Sequence, residues 1–222
     1  MPSFFERLRA DSIAVWQDYI CHEFVNRLSD GSLPEEAFRT YLAQDYLFLI
    51  QFSRAHALAV YKAGNLSDMH EGLAGLKAIM DTEMDLHVGL CAGWGLSKSD
   101  LEALPEASQT IAYTRFVLET GLRGDLLDLQ VALAPCILGY AEIGRLNEEA
   151  QPQGPTSSAY RNWLDEYSGK AYQSVAQAFS DWMDRTAERY LTEARYPSLL
   201  KTFSQASTLE TDFWQMGLNA AQ

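Results

Sequence analysis

Seven positions between residues 38 and 52 constrain this chain more than anything else in it. Phe38, Tyr41, Leu42, Asp45, Phe48, Leu49 and Phe52 recur at i, i+3, i+4, i+7, i+10, i+11 and i+14. That spacing is the buried stripe of a long amphipathic helix. The same period runs through nearly every other segment. Period-two alternation is missing, and no Asn-Gly or Asp-Gly pair joins two β-branched runs, so strands are not expected. The pattern predicts helices over about 4–28, from Ser32–Glu35 to Gly64, 67–94, a short piece opened by Ser97–Asp100 and stopped by Pro105, 107–120, 125–146, 159–167, 170–194 and 198–218. Ser32-Leu-Pro-Glu35 has the form of a capping box with proline in the first turn. The clearest loop is Gln151–Ser158, with two prolines and a glycine. It is too short to separate domains, so a single all-α domain over 1–222 is expected, a multi-helix bundle.

What interrupts the stripes points to chemistry. Asp45 stands in the middle of the first. Glu210 stands in the middle of another, formed by Phe203, Ala206, Glu210, Phe213, Trp214 and Gly217. An ionised carboxylate in such a place costs several kcal/mol unless it is paired. A structural ion pair is one reading; a ligand pocket walled by aromatics is the other. A thiol adds to the second. Cys136 lies in the apolar run Val131–Tyr140, directly after Pro135, which removes one backbone hydrogen bond and predicts a kink. Tyr140 follows four residues on, on the same face. A lone cysteine also serves as a small core hydrophobe. As a nucleophile it needs thiolate character, and no Lys, Arg or His adjoins it in sequence. A carboxylate base or the substrate would have to activate it.

A third stripe, Met69, Leu73, Leu76, Met80, Glu83, His87 and Leu90, carries an acid and a histidine at i, i+4. The Glu-x-x-His motif of di-iron bundles is missing. A buried Glu83–His87 hydrogen bond that fixes helix packing is therefore expected, with metal binding as the alternative.

Charge and cysteine usage narrow the partners. The net charge is −13, from 17 basic and 30 acidic residues, which opposes nucleic acid or an anionic membrane as partner. The three cysteines, Cys21, Cys91 and Cys136, are widely spaced. No disulfide framework or zinc site is expected, and a reducing cytoplasm fits. The N-terminus is charged before any apolar run develops, so it does not read as a signal peptide. The longest apolar stretch, Val131–Ala141, falls short of the roughly 18–20 residues that span a bilayer.

Asp30-Gly-Ser-Leu-Pro34, Tyr41-Leu-x-Gln-Asp-Tyr46, Glu83-x-x-x-His87, Tyr113-Thr114, Pro135-Cys136 with Tyr140, and Glu210-x-x-Phe-Trp214 together resemble the TenA / thiaminase II family, in order and over nearly the whole chain. The resemblance implies a haem-oxygenase-like helical fold without haem or other cofactor, assembled as a homotetramer. It implies hydrolysis of thiamin, or of its aminomethyl-aminopyrimidine breakdown product, to the hydroxymethyl-aminopyrimidine, for thiamin salvage. Cys136 matches the family nucleophile and Glu210 its acid/base glutamate. Asp45 matches the pyrimidine-binding aspartate; Tyr113, Tyr140 and Tyr167 match site tyrosines. Phe48 stands where some members have tyrosine, keeping ring stacking and losing a hydroxyl. On this reading the flat pyrimidine stacks on Phe48 and Tyr167. Glu210 protonates a ring nitrogen, Cys136 adds to the ring, and the substituent on the methylene leaves. Two rivals stay open: a di-iron oxidase with Glu83, His87, Asp45 and Glu210 as ligands, and a non-catalytic pyrimidine-binding regulator.

Overall fold

The structure, a computed structural model, describes residues 2–151 and 154–221. Every regular element among them is helical. The first expected helix is three. Helices α1 (Phe4–Asp11) and α2 (Ile13–Ile20) are divided at Ser12, whose hydroxyl donates back to the Leu8 carbonyl at 2.7 Å. Helix α3 (Glu23–Asp30) starts afresh because His22 turns to extended backbone and its Nδ1 accepts from the Phe24 N–H. Gly31 ends α3 with φ +81, the left-handed conformation that a glycine adopts without Cβ strain.

Helix α4 (Glu35–Lys62) carries the first stripe, and all seven of its positions are buried. The expected capping box is not formed. Pro34 takes the N-cap position, and the Ser32 N–H is drawn into a local turn by Asp30 Oδ1 at 2.8 Å. Glu35 and Glu36 in the first turn complement the helix dipole instead. Helix α5 (Leu66–Ala78) is capped by Asn65 and starts one residue before the expected position. It runs through a π-helical turn (Ile79–Glu83) into α6 (Met84–Ala92). Helix α7 (Lys98–Glu102) opens with the expected Ser97 cap, in which Ser97 and Asp100 satisfy each other. Helix α8 (Ser108–Arg123) passes through Gly121 and ends at Gly124, because at Gly121 the missing side chain makes room for Leu129 and Leu58.

Helix α9 (Leu126–Ala134), a second π-helical turn (Pro135–Gly139) and α10 (Tyr140–Ala150) form one continuous rod. The kink expected at Pro135 is this π turn, which absorbs the lost hydrogen bond by widening the helix. By length and composition, Leu126–Ala150 as a whole could cross a membrane, unlike the shorter apolar run read from sequence; 89% of its most apolar window is buried inside the fold, the position of a core helix. Helices α11 (Ser158–Ser168), α12 (Lys170–Tyr190) and α13 (Tyr196–Asn219) complete the bundle. Of the loop expected at 151–158, positions 152 and 153 lie outside the described residues.

Helix α4 packs on α5, α6, α8 and α13, and α13 packs on α2, α4, α8 and α9. The buried residues form one contiguous core from Phe4 to Leu218. At its centre Trp214 lies parallel to Phe24 (5.0 Å between centroids, 18°) and touches the rings of Tyr41 and Tyr140. Burial of such rings supplies most of the packing energy, roughly 25 cal/mol per Å² of apolar surface. It also fixes the facing sides of α4, α10, α11 and α13, which carry the polar residues described next.

Candidate active site

Five helices each bring one or two polar groups to the middle of the bundle. Helix α4 contributes Tyr41, Asp45 and Phe48; α8, Tyr113; the second π turn and α10, Cys136 and Tyr140; α11, Trp163 and Tyr167; and α13, Glu210. The first π turn and α6 add Glu83 and His87. Asp45 is 4% exposed, Glu210 2% and His87 0%, so their pairing decides whether this centre is tolerable.

The pairing is extensive. Tyr41 donates its hydroxyl to Asp45 Oδ2 at 3.1 Å. Having spent its proton there, it accepts from Tyr140 Oη (3.3 Å) and from Trp163 Nε1 (3.3 Å). On the same carboxylate oxygen sits His87 Nε2 at 2.6 Å. The other ring nitrogen, Nδ1, is 2.8 Å from the Glu83 backbone carbonyl, which only accepts. Both nitrogens of His87 therefore face acceptors, and a neutral imidazole has one proton for two such partners. The arrangement is satisfied by an imidazolium paired with an Asp45 carboxylate. Burial alone would depress the His87 pKa; the Asp45 charge and hydrogen bond outweigh it and raise it.

This corrects the sequence expectation at positions 83 and 87. The two residues do bond, through the Glu83 main chain, while the Glu83 carboxylate turns away and accepts from Tyr167 Oη at 3.0 Å. Burial, opposed by the His87 charge, pushes the Glu83 carboxyl up to about 7. Across the bundle, Glu210 Oε1 accepts from Tyr113 Oη at 2.8 Å. Burial raises its pKa well above the ordinary carboxylate range, against the Tyr113 bond and reinforced by the charges of Asp45 and Glu83. The Cys136 thiol is pushed well up by burial and then by Glu210, Glu83 and Asp45. The centre thus holds a glutamate that burial biases toward its protonated form, a glutamate poised near neutrality, an aspartate–histidine pair and a thiol held in its protonated form.

Phe48 lies in an aromatic stack, its ring 5.0 Å from Tyr113, 5.3 Å from Phe52 and 5.8 Å from Phe213. A cavity of about 200 Å³ opens beside this cluster, walled by α5, the two π turns and α12. Cys136 is the one sequence-predicted site residue on its wall, together with Phe52, His56, Glu83 and Tyr172. Asp45, Phe48, Tyr113, Tyr140, Tyr167 and Glu210 are packed behind it and hold one another. Sequence reasoning assigned no site role to Tyr41, which donates to Asp45, or to Trp163, which donates to Tyr41, and gave Glu83 and His87 only a packing bond or, alternatively, metal ligation. The signal for Tyr41 was present, four residues before Asp45 on one stripe; the others depend on which helices meet. Among the described residues no group of three or more His, Cys, Asp or Glu is placed to hold a metal ion.

Residues 10–220 match a family profile described as the TENA/THI-4/PQQC family. The chain belongs to that family. An uncharacterized protein of Haemophilus influenzae is 38% identical over 216 residues, covering 97% of this chain and 99% of its own. An aminopyrimidine aminohydrolase of Halalkalibacterium halodurans is 33% identical over 217 residues, covering 98% and 96%. The crystal structure of a TenA family transcription regulator from Silicibacter sp. TM1040 superposes with a TM-score of 0.91 at 45% identity, covering 96% of each chain. A Shewanella denitrificans domain with a heme oxygenase-like fold matches at a TM-score of 0.73 over 98% of this chain and 93% of that one, at 12% identity, a likeness of fold alone. The TenA-type, haem-oxygenase-like bundle expected from sequence is the fold of this protein.

Proposed function

We propose that this TenA-family chain is a hydrolase of the aminopyrimidine aminohydrolase / thiaminase II type. On this reading it is a single helical domain, acts in the cytoplasm as a homotetramer, and salvages thiamin or its aminomethyl-aminopyrimidine breakdown product. The observation that carries the reading is the polar cluster at the bundle centre, where a thiol at a cavity wall adjoins two buried glutamates and a charged aspartate–histidine pair. The kinship with the Halalkalibacterium aminopyrimidine aminohydrolase supports it.

The chemistry follows from the residue types. A flat aminopyrimidine offers donors and acceptors at its edge. Asp45, fixed by Tyr41 and His87, is an acceptor for the amino group. Glu210, biased by burial toward its protonated form, is a donor for a ring nitrogen, which makes the ring electrophilic. Phe48 and Tyr167 offer ring faces for stacking, with Tyr113 and Tyr140 beside them. Cys136 then adds to the ring, the substituent leaves from the methylene, and water takes its place. The relative named as a transcription regulator suggests a non-catalytic role, but a net charge of −13 opposes a nucleic-acid partner.

The test is a chromatographic assay of the purified protein with thiamin and with aminomethyl-aminopyrimidine, Cys136→Ser alongside. Hydroxymethyl-aminopyrimidine should appear with the wild type and not with Cys136→Ser, while calorimetry shows the variant still binding the pyrimidine. Wild-type turnover by Cys136→Ser, or no product from either substrate with the wild type, overturns the reading.

A further inference from the structure

The centre of the bundle holds more carboxylates than the chemistry above uses, and one has no role. Three carboxylates, Glu210, Glu83 and Asp45, act electrostatically on the Cys136 thiol. Of these, Glu83 alone shares the cavity wall with the sulfur. The other two lie off that wall. Glu210 sits behind the wall, bonded to Tyr113, and Asp45 is bonded to Tyr41 and His87. Two further glutamates reach the cavity. Glu71 is taken by Arg185 at 2.6 Å, and Glu166 exerts no comparable field on the thiol.

A second observation is independent of charge. Among the described residues the bundle has two π-helical turns, Ile79–Glu83 and Pro135–Gly139, on separate helices. Both open onto this one cavity: Ile79 and Glu83 come from the first, Cys136 and Ile137 from the second. A π turn costs helix regularity and concentrates at functional sites. The second has an obvious sequence cause in Pro135. The first contains neither proline nor glycine. What it achieves is placement: it brings Glu83 to the cavity while its carbonyl is held by His87 and its carboxylate by Tyr167.

We propose that Glu83 is the base that takes the proton of Cys136 as the sulfur adds to the substrate. This rests on the hydrolase reading above and assigns the division of labour within it, with Glu210 serving the ring and Glu83 serving the thiol. The sulfur–carbon bond forms at the ring as the thiol proton passes to the Glu83 carboxylate. The displaced ring electrons make a double bond to the methylene and break its bond to the leaving nitrogen, which departs with that electron pair. Water then bonds through oxygen to the methylene. The sulfur–carbon bond breaks with its pair returning to sulfur, and Glu83 gives the proton back. The ring nitrogen returns its proton to Glu210, and the surplus proton of the water goes to the departing amine of the aminomethyl substrate, or to solvent where a neutral thiazole leaves, so nothing is oxidised or reduced. A carboxyl poised at about pH 7 has the ionised form available for the first step and the protonated form for the last. The groups that set this poise are His87 on α6, Asp45 on α4, and Tyr167 and Glu166 on α11.

The proposal predicts opposite movements of two rates in Glu83→Gln. Turnover at pH 7 should fall by about 100-fold, the ordinary contribution of a general base. Alkylation of Cys136 by iodoacetamide at pH 8, followed by peptide mass spectrometry, should rise by about 10-fold, because a neutral amide no longer repels the thiolate. The exposed Cys21 is the internal control and should not change. A residue that merely holds the helices together would speed alkylation of the buried Cys91 along with that of Cys136. Turnover within threefold of wild type, or Cys136 alkylation no faster than wild type, overturns the proposal. If the wild type turns over neither pyrimidine, the hydrolase reading fails by itself, and the alkylation arm still decides whether Glu83 and the thiol are coupled. If Glu83→Gln loosens the fold, detected as alkylation of the buried Cys91, Glu83→Asp carries the test. It keeps the charge, so alkylation of Cys136 should stay at the wild-type rate while the retracted carboxylate slows turnover more than tenfold. Wild-type turnover in that variant overturns the proposal.

Discussion

Replacing Asp45 separates two costs that the wild-type centre keeps together. In Asp45→Ala, Tyr41 and His87 lose the acceptor they share at 3.1 and 2.6 Å, and His87 is fully buried. Removing one partner of a buried ion pair costs about 3–5 kcal/mol. In Asp45→Asn the centre re-pairs. A neutral His87 keeps its Nδ1 proton on the Glu83 carbonyl and accepts at Nε2 from the new amide, so one charged hydrogen bond is exchanged for a neutral one, about 1–2 kcal/mol. For a chain of this length, 1 kcal/mol moves Tm by roughly 2–4 °C. Asp45→Ala should thus melt about 6–20 °C below wild type, and Asp45→Asn about 2–8 °C below. The pH dependence carries the sharper test. The folded pKa of His87 is raised, so its contribution is fully present below the unfolded value of about 6.5 and is lost as pH rises through the folded value. The gap between wild type and Asp45→Asn should be widest below about pH 6.5 and narrow as pH rises above it, as read by calorimetric or circular-dichroism melts across pH. The raised carboxyl of Glu83 acts in the same sense at lower pH and largely cancels in the difference. A gap that stays constant with pH, or an alanine variant no worse than the asparagine one, would refute the ion-pair assignment.

Two other substitutions test the packing. At Gly144 a Cβ would run into the carbonyl group of Tyr167 and lie 2.5 Å from the Ser168 nitrogen, main-chain atoms that yield only if α10 and α11 separate. Gly144→Ala should cost about 1–3 kcal/mol by overpacking, offset by less than about 1 kcal/mol of helix propensity. It should also weaken turnover by lifting Tyr167 from Glu83; an unchanged Tm with unchanged kcat/KM would refute this. His56 is buried at the cavity with neither ring nitrogen hydrogen-bonded among the described residues, and burial lowers its pKa to about 4, so it is neutral at pH 7. His56→Leu should leave Tm equal to or above wild type, since each unpaired buried group costs about 1–3 kcal/mol. A clear fall in Tm would show that the imidazole is paired in solution.

The sequence by itself determined the helical fold and the oddity of its centre. Period-3.6 stripes are a local property, and Asp45 and Glu210 stand out because each breaks a stripe within its own helix. Proline fixes φ and lacks an N–H, so Pro135 announced a break beside Cys136. Other features were beyond local reading. The divisions of the first helix rest on a serine hydroxyl and a histidine nitrogen competing for backbone groups. The π turn at Ile79–Glu83 has no residue that demands it. The partners of His87 and Glu83 were misjudged because i, i+4 spacing says that two side chains can meet on one helix, not that they prefer each other to a neighbour. Only the tertiary structure set Asp45 of α4 against His87 of α6, and Tyr167 of α11 against Glu83. Those contacts come from helices 42 and 84 residues apart in the chain. Burial and pairing, which fix the charge each group carries, are properties of the packed bundle and of no single segment.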